Sequence, residues 1–240
     1  MALHDDPRLR WFIGDVRDKE RLVRACRGVN AIVHAAALKR IEVGAYDPEE
    51  MVKTNVLGAL NVIEAALVNR AQKVVALSTD KAYQPISPYG QTKALAESLF
   101  LAANNTQGKG NTRFAVTRYG NIWNAQGSVV PKWRALVAAQ HTHAVPLPLT
   151  DTRATRFFMR LGEAIDLVLE VLETMPSTVV IPHDLPAYNL ADLAEAFGGG
   201  YQVCGLPPWE KLHESMRDGL CSADVRRMTV TELREELHRG

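Results

Sequence analysis

Four short apolar runs recur along the chain, each separated from the next by a longer segment with mixed polarity. The runs are rich in β-branched residues and do not alternate with polar residues, which is typical of strands buried on both faces of a parallel sheet. They are AIVHAAA (31–37), KVVALST (73–79), RFAVTRYG (113–120) and TVVIP (178–182). The pattern therefore predicts four strands of one parallel sheet.

The segments between the runs repeat apolar residues every three or four positions, which is the period of an amphipathic helix. Helices are predicted within 17–28, 48–70 and 88–105. Regular alternation of strands and helices predicts an α/β fold built on a doubly wound parallel sheet. Sheets of this kind bind ligands at the carboxyl ends of their strands, so we expect a site where the apolar runs end.

The regular alternation weakens beyond about residue 125, where prolines divide the chain into shorter pieces. We therefore expect two parts. Residues 1–125 are predicted to form the core with the ligand site. Residues 126–240 are predicted to form a smaller lobe that caps the site and returns one strand to the sheet.

Bulk composition excludes several classes of function. The 240 residues carry a formal net charge of +1 and no cluster of Lys and Arg, so nucleic-acid binding is not expected. The three cysteines lack CxxC spacing, which indicates reduced thiols and neither a disulfide framework nor a metal site. No apolar run approaches the roughly 18 residues of a membrane span, and the polar N-terminus does not resemble a signal peptide. We expect a soluble cytoplasmic protein.

The stretch STDKAYQPISPYGQTKALAE (78–97) places ionisable groups directly behind the second apolar run. Ser87 and Pro88 are typical of a helix start, so Tyr89 and Lys93 are expected on one helical face. A nearby ammonium lowers the pKa of a phenol, which would let Tyr89 take a proton from an alcohol while a nicotinamide takes the hydride. The alternative is an ordinary surface pair, because Tyr and Lys occur often at this spacing.

Several motifs in order give the chain a specific resemblance. With STDKA and YGQTK, they are GDVRD (14–18), HAAALK (34–39), KTNVLGALNVIEAA (53–66), RYGN (118–121), GSVVP (127–131), TRFFM (155–159), LADLAEA (190–196) and EKLHE (210–214). The chain resembles the extended short-chain dehydrogenase/reductase family, in its polysaccharide-biosynthesis branch of UDP-N-acetylglucosamine 4,6-dehydratases and UDP-sugar epimerases. The resemblance implies a Rossmann-like fold.

The same resemblance implies roles for five residues, namely Thr79, Asp80, Lys81, Tyr89 and Lys93. Tyr89 and Lys93 would serve hydride transfer, Thr79 would hydrogen-bond the sugar 4-hydroxyl, Lys81 would take the C5 proton and Asp80 would protonate the leaving hydroxyl. Lys81 would need a lowered pKa, which burial and Lys93 could provide, and Asp80 would need to be protonated. The alternatives are an Asp80–Lys81 ion pair that only holds the loop, and a 4-epimerase that uses Tyr89 and Lys93 alone.

The resemblance also implies a cofactor, NADP or NAD, and a UDP-sugar substrate. The implied cofactor-binding residues are Asp15, Val16, Ala35, Ala36, Ser78, Tyr89, Lys93 and Tyr119. The implied substrate-binding residues are Lys39, Asn121, Val129 and Arg156, the last suited to a diphosphate. Asn55 is expected to brace the active-site helix, and His34 is expected to be a buried core residue.

One departure from the family pattern concerns the cofactor. Families of this type open with a Gly-rich turn that holds the cofactor pyrophosphate, whereas Gly14 is the only glycine before Asp15. Cofactor binding is therefore expected to be weakened or to depend on a further segment. Three alternatives stay open: a fragment or split enzyme, a catalytically silent protein that binds nucleotide-sugars or serves assembly, and a sheet completed by a neighbouring subunit. We accordingly expect a homo-oligomer or a complementing N-terminal polypeptide.

Overall fold

The computed structural model describes residues 6–108, 110–139 and 146–239. Its strands are β1 (Ala31–His34), β2 (Lys73–Thr79), β3 (Arg113–Tyr119), β4 (Asn121–Ile122), β5 (Leu147–Leu149), β6 (Thr155–Met159), β7 (Val179–Val180), β8 (Ala187–Asn189), β9 (Tyr201–Val203), β10 (Ser215–Arg217) and β11 (Leu220–Cys221). Its helices are α1 (Lys19–Ala25), α2 (Ile41–Tyr46), α3 (Pro48–Met51), α4 (Gly58–Asn69), α5 (Pro88–Thr106), α6 (Val129–Ala138), α7 (Leu161–Thr174), α8 (Leu190–Ala196) and α9 (Val230–Arg239). A π-helical stretch, Val52–Leu57, joins α3 to α4, and a 3-10 turn, Asp80–Ala82, follows β2.

The central sheet has the strand order β1-β2-β3-β7, and every pair in it is parallel. These are the four strands that the apolar runs predict, so the α/β fold with a parallel sheet is confirmed. The first strand ends at His34, before the predicted end at residue 37. Residues 35–37 have no regular structure.

Helices cover both faces of the sheet. Successive strand residues point to opposite sides, so these apolar strands present an apolar surface on each face. Val74 and Ala76 of β2 pack on one side against α4 and α5, with Phe100 of α5 at the centre of that cluster. Val75 points to the other side, where α7 contributes Val171. The doubly wound arrangement follows from strands that are apolar on both faces.

One helical stretch, Pro48–Asn69, is long and apolar enough to cross a membrane by length and composition, with a mean hydropathy of 1.4. The stretch is not an uninterrupted apolar run, because Lys53, Asn55 and Glu64 lie within it, so it meets only the criteria of length and mean hydropathy. Half of that stretch is buried inside the protein, and α4 packs against the sheet. These are the features of a core helix.

Residues beyond β3 build a second core around aromatic side chains. A three-stranded sheet has the order β4-β6-β8, and the core to which it belongs includes Trp133, Phe158, Tyr188, Leu193 and Leu233. Strands β10 and β11 form an antiparallel pair. The residues just before and within β10 contact the 3-10 turn after β2, which brings the two parts of the chain together at the carboxyl edge of the central sheet.

Candidate active site

The site is centred on the 3-10 turn that follows β2. Thr79 ends the strand, and its hydroxyl accepts a hydrogen bond from the Lys81 backbone, which caps the turn. The same hydroxyl donates to Asp80 Oδ1 at 3.0 Å. Asp80 is fully buried, and its Oδ2 has no hydrogen-bond partner within the described residues. The strand end therefore holds a buried carboxylate with one oxygen engaged.

Lys81 lies at the centre of a ring of oxygens. Its Nζ is 3.0 Å from Asp80 Oδ1, 3.1 Å from Asn121 Oδ1 and 3.2 Å from Glu214 Oε1. The contacts with Asp80 and Asn121 are hydrogen bonds, and the contact with Glu214 is an ion pair. The structure thus brings the predicted residues Asp80, Lys81 and Asn121 together and adds Glu214.

The charges around Lys81 favour its ammonium form. Burial acts to lower the pKa of Lys81, but the carboxylates of Asp80 and Glu214 outweigh it, and the net pKa is raised above that of a free lysine. The expectation of a lowered pKa from burial and Lys93 was therefore wrong. A carboxylate from a distant part of the chain supplies much of the difference.

Tyr89, on the first turn of α5, faces this cluster. Burial raises the pKa of its phenol, while the Lys81 charge and a hydrogen bond with Thr79 act in the opposite direction. The ammonium that favours the Tyr89 phenolate is thus Lys81. Thr79, Asp80, Lys81 and Tyr89 form one continuous cluster.

Lys93 is directed elsewhere, contrary to the pairing expected from its spacing to Tyr89. Its Nζ donates to the Leu77 carbonyl at 2.6 Å, and burial lowers the pKa of Lys93 to about 8, opposed by Glu97. Glu97 is itself hydrogen-bonded to Arg118 through both carboxylate oxygens. The spacing of Tyr89 and Lys93 predicts that they share a helical face, but it does not predict the hydrogen-bond partner of the Lys93 side chain.

The residues assigned to the cofactor occupy two regions. Ser78 lies at the carboxyl end of β2, where its buried hydroxyl has no hydrogen-bond partner within the described part of the chain. Ala35 and Ala36 follow β1 and are exposed. Tyr119 ends β3, and burial followed by the neighbouring Tyr89 raises its pKa to about 12. These positions share the carboxyl edge of the sheet with Tyr89 and Lys93.

Asp15 and Val16 lie in the second region, before α1. Both carboxylate oxygens of Asp15 bond to Arg17, and this exposed pair continues to Glu50. The Val16 side chain packs close to Gly58, and its carbonyl accepts from Asn61 at 2.9 Å. This segment is therefore fixed against the long helical stretch, at its π-helical end.

The residues assigned to the substrate lie in different environments. Asn121 belongs to the Lys81 cluster, Val129 is the first residue of α6, and Lys39 is exposed before α2. Arg156 is buried and donates to Glu210, to the Thr155 carbonyl at 2.7 Å and to the Leu212 carbonyl at 3.1 Å. A diphosphate could reach this guanidinium only after the ion pair with Glu210 opened.

Sequence reasoning missed two residues of the cluster. Glu214 is the last residue of the EKLHE motif and forms an ion pair with Lys81, whereas the neighbouring His213 contacts Thr155. A carboxylate within a matched motif was the available signal. Tyr188 is buried and hydrogen-bonded to Asn121. It lies in a three-residue strand outside the matched motifs, so no sequence pattern indicated its place in the site.

Asn55 performs the bracing role expected of it. Its side chain accepts from the Leu38 amide at 2.8 Å, donates to the Leu38 carbonyl at 3.0 Å and donates to Thr92 Oγ1 at 3.1 Å. It thereby ties the loop after β1 to α5. A polar residue in the π-helical stretch is accounted for by these three bonds.

Comparisons with known proteins agree on one family. Residues 3–232 match the family described as "Polysaccharide biosynthesis protein". The chain is 45% identical over 217 residues to a UDP-N-acetylglucosamine 4,6-dehydratase (inverting) of Campylobacter jejuni, covering 90% of this chain and 64% of that protein. It is 39% identical over 217 residues to a UDP-glucose 4-epimerase of Rickettsia akari, covering 88% of this chain and 62% of that protein. The chain thus spans less than two thirds of the length of these relatives.

Solved structures show the same fold. Pen from Bacillus thuringiensis superimposes with a TM-score of 0.91 at 27% identity, covering 99% of this chain and 84% of that chain. DesIV, a dTDP-glucose 4,6-dehydratase from Streptomyces venezuelae with NAD and TYD bound, gives a TM-score of 0.83 at 21% identity, covering 98% of this chain and 80% of that chain. The latter is a likeness of fold alone.

Proposed function

Because the chain belongs to the polysaccharide biosynthesis protein family, within the extended short-chain dehydrogenases/reductases, we propose that it is a UDP-N-acetylglucosamine 4,6-dehydratase. The proposal places it in the cytoplasm, in the synthesis of surface polysaccharide or glycan precursors. The observation that supports it most directly is the Asp80–Lys81 couple, joined at 3.0 Å and set beside Thr79 and Tyr89. An elimination needs an acid and a base in addition to the groups that serve hydride transfer.

The reaction assigns a separate task to each group. A bound nicotinamide would supply reversible hydride transfer, from C4 of the sugar and back to C6. Tyr89 takes the proton of the 4-hydroxyl, which Thr79 orients. Lys81 takes the proton at C5, and Asp80 gives its proton to the C6 hydroxyl, so that the C6–O bond breaks and water leaves.

The raised pKa of Lys81 is compatible with this task if one proton moves within the cluster. Lys81 as an ammonium cannot accept the C5 proton, and Asp80 as a carboxylate cannot donate one. Transfer of a proton from Lys81 Nζ to Asp80 Oδ1 along their hydrogen bond produces a neutral amine and a neutral acid together. The competent Asp80–Lys81 pair therefore has the same net charge as the resting pair.

The described residues fit the nicotinamide end of NAD or NADP. The orphaned hydroxyl of Ser78 and the amine of Lys93 provide polar groups at the carboxyl edge of the sheet. Ala35 and Ala36 provide a small, exposed surface beside β1. We assign Asp15 and Val16 to the adenosine end, and we expect full affinity to require a further segment, from a complementing polypeptide or a second subunit.

The test is water elimination by the purified chain and its Lys81→Ala variant. With UDP-N-acetylglucosamine and NAD or NADP, the unaltered protein is expected to form the 4-keto-6-deoxy sugar. Loss of the base should slow this reaction by at least about 100-fold. The control is Lys19→Ala, which removes an exposed lysine of α1 and should leave the rate unchanged. Formation of the 4-epimer at the same rate with and without Lys81 would identify an epimerase.

A thermal-shift titration separates the enzyme from a silent binding protein. A ligand that binds the folded state raises its melting temperature by mass action. Stabilisation by UDP and by NAD or NADP is expected of the dehydratase. Stabilisation by UDP without any by dinucleotide would support the binding protein instead.

A further inference from the structure

Residues 211–218, which we call the strap, cross the 3-10 turn of the active site. They come from the second part of the chain and contact the turn and β3 at four points. Lys211 Nζ donates to the Tyr83 carbonyl at 2.6 Å, Glu214 pairs with Lys81, the Met216 carbonyl accepts from Arg118 at 2.5 Å, and Asp218 accepts from the Tyr83 hydroxyl. Only the Glu214 contact reaches a group of the proposed chemistry.

The backbone of Glu214 is held in place by two hydrogen bonds to Ser222. It is 1% exposed, its backbone N–H donates to Ser222 Oγ at 3.0 Å, and its carbonyl accepts from the Ser222 N–H at 2.8 Å. Ser222 Oγ in turn contacts Thr155 Oγ1 at 2.7 Å. The two bonds to Ser222 fix the backbone from which the Glu214 side chain extends to Lys81.

The Glu214 carboxylate contacts two lysines of the site, Lys81 and Lys211. Oε1 lies 3.2 Å from Lys81 Nζ, and Oε2 lies 3.7 Å from Lys211 Nζ without a hydrogen bond among the described residues. Burying a carboxylate costs several kcal/mol unless it is paired. The pairing with Lys81 therefore accounts for the presence of Glu214 in this interior.

Several other ionisable groups also face Lys81. They are Asp80 from the turn, Tyr89 from α5, Arg156 from β6 and Tyr188 from β8. Arg156 is paired with Glu210, and burial raises the pKa of both phenols, so neither offsets the Lys81 charge in the resting state. The two carboxylates that balance the Lys81 charge are thus Asp80 and Glu214.

We propose that Glu214 is a positioning residue of the dehydration step, which holds Lys81 Nζ at the C5 proton and stabilises the ammonium that forms there. This inference rests on the proposed function. In the competent state Asp80 is protonated, so among the described residues the carboxylate left to pair with Lys81 is that of Glu214, at 3.2 Å.

The proton balance follows the same two carboxylates. Lys81 gains the C5 proton and becomes an ammonium, while Asp80 loses its proton to the C6 hydroxyl, which leaves as water. Asp80 cannot stabilise the new ammonium until it has lost that proton, whereas Glu214 can do so throughout. When hydride returns to C6, C5 takes a proton from Lys81, and the proton that Tyr89 took from the 4-hydroxyl passes through Thr79 to Asp80. The starting state is thereby restored, and no further acid or base is consumed.

The first experiment measures the amine of Lys81 without requiring turnover. The full chain is labelled with trace acetic anhydride at pH 8.5, and acetylation of Lys81 is quantified by mass spectrometry against exposed Lys19 in the same sample. Below its pKa, a lysine reacts in proportion to its neutral fraction, so a pKa lowered by one unit gives tenfold faster labelling. Glu214→Gln removes the charge and keeps the shape, and we expect about tenfold or greater acceleration at Lys81.

The matched control is Glu236→Gln. Glu236 is also a buried carboxylate in an ion pair, with Arg160, but it belongs to α9 and should leave Lys81 labelling unchanged. Labelling of Lys81 at the same rate in Glu214→Gln and in the unaltered protein would overturn the inference. Equal acceleration in both variants would also overturn it, because the effect would then be a general loosening.

The second experiment follows turnover. Glu214→Gln is expected to lower kcat for water elimination by about tenfold or more with little change in KM, since the group acts on the base. Glu214→Asp keeps the charge but shortens the side chain. Its rate of Lys81 labelling should therefore lie close to that of the unaltered protein, whereas its kcat should stay lower. If the unaltered protein eliminates no water, the proposed function fails, whereas labelling still decides whether Glu214 controls Lys81.

Discussion

His34 is a buried residue whose ionisation is suppressed by its surroundings. It ends β1, is 6% exposed, and its ring centroid lies 5.5 Å from that of Phe100. Burial, assisted by the charge of Lys93, lowers its pKa to about 4. An imidazole that stays neutral in the folded protein must ionise when the chain unfolds in mild acid.

The stability of the protein should therefore fall between pH 6.5 and pH 4 through this residue. The unfolded chain binds a proton at His34 below about pH 6.5, whereas the folded protein binds it only near pH 4, so acid favours unfolding in that window. The shift corresponds to about 3 kcal/mol. Urea unfolding at pH 7, 5.5 and 4 should show this loss in the unaltered protein relative to His34→Leu. Parallel pH profiles for the two proteins would contradict the assignment.

The active-site residues differ in how far the sequence could predict them. Asp80, Lys81 and Tyr89 follow a strand and open a helix, and local geometry of that kind places them together. The hydrogen-bond partner of Lys93 depends on how its long side chain packs in the core. The pKa of Lys81 depends on Glu214, which is 133 positions away along the chain. Those two features are set by tertiary packing.

At the scale of elements, the contact between the 3-10 turn and α5 depends on Gly90. A Cβ at this position would lie 2.3 Å from the Lys81 carbonyl oxygen and 3.0 Å from Pro85 Cβ. The first of these neighbours is backbone, which cannot move aside as a side-chain end can. Glycine is therefore required for the turn to lie directly on the helix.

Gly90→Ala should push the turn away from α5. We expect a destabilisation of about 1–3 kcal/mol from overpacking and a loss of dehydratase activity beyond the loss of folded protein, because the turn holds Asp80 and Lys81. Urea unfolding and the initial rate at saturating substrate measure the two effects.

Gly162→Ala is the matched control, since Gly162 lies in the first turn of α7 and a Cβ there would meet no atom within 4 Å. It should be neutral or stabilising by up to about 1 kcal/mol. Equal destabilisation of the two variants would show that the loss of glycine itself, and not the contact with the turn, is responsible.

The elements themselves follow closely from periodicity, with one exception. The predicted helix over 48–70 contains the π-helical stretch Val52–Leu57. A single wide turn displaces the apolar stripe by one residue, which periodicity over such a segment does not resolve. Asn55 lies in this π-helical stretch, and its hydrogen bonds to Leu38 and Thr92 hold the stretch against the loop after β1 and against α5.

For the whole molecule, the second part of the chain was the least predictable. Strands β4, β6 and β8 have two to five residues each, too few for a period to be recognised. The strap meets the active site through contacts such as Lys211–Tyr83, 128 positions apart. Long-range contacts of this kind are determined by the packing of the complete fold.

The open edge of the central sheet is a second feature of the whole molecule. Within the described residues β1 is the edge strand, and it is covered on one face only. Ile32 and His34 point towards the cluster with α4 and α5, whereas Val33 points to the other face and is 46% exposed. An apolar edge strand with free N–H and C=O groups is a template for pairing with another chain.

We therefore expect the purified chain to associate through β1 in a concentration-dependent way. Val33→Lys places a charge on the free face of the edge strand and should shift the protein towards monomer, since charged edge strands resist pairing. Val137→Lys is the control, because Val137 is similarly exposed, at 40%, but lies on helix α6. Sedimentation velocity over a 50-fold concentration range distinguishes the two variants. If both associate as the unaltered protein does, association uses another surface, and β1 must be protected in some other way.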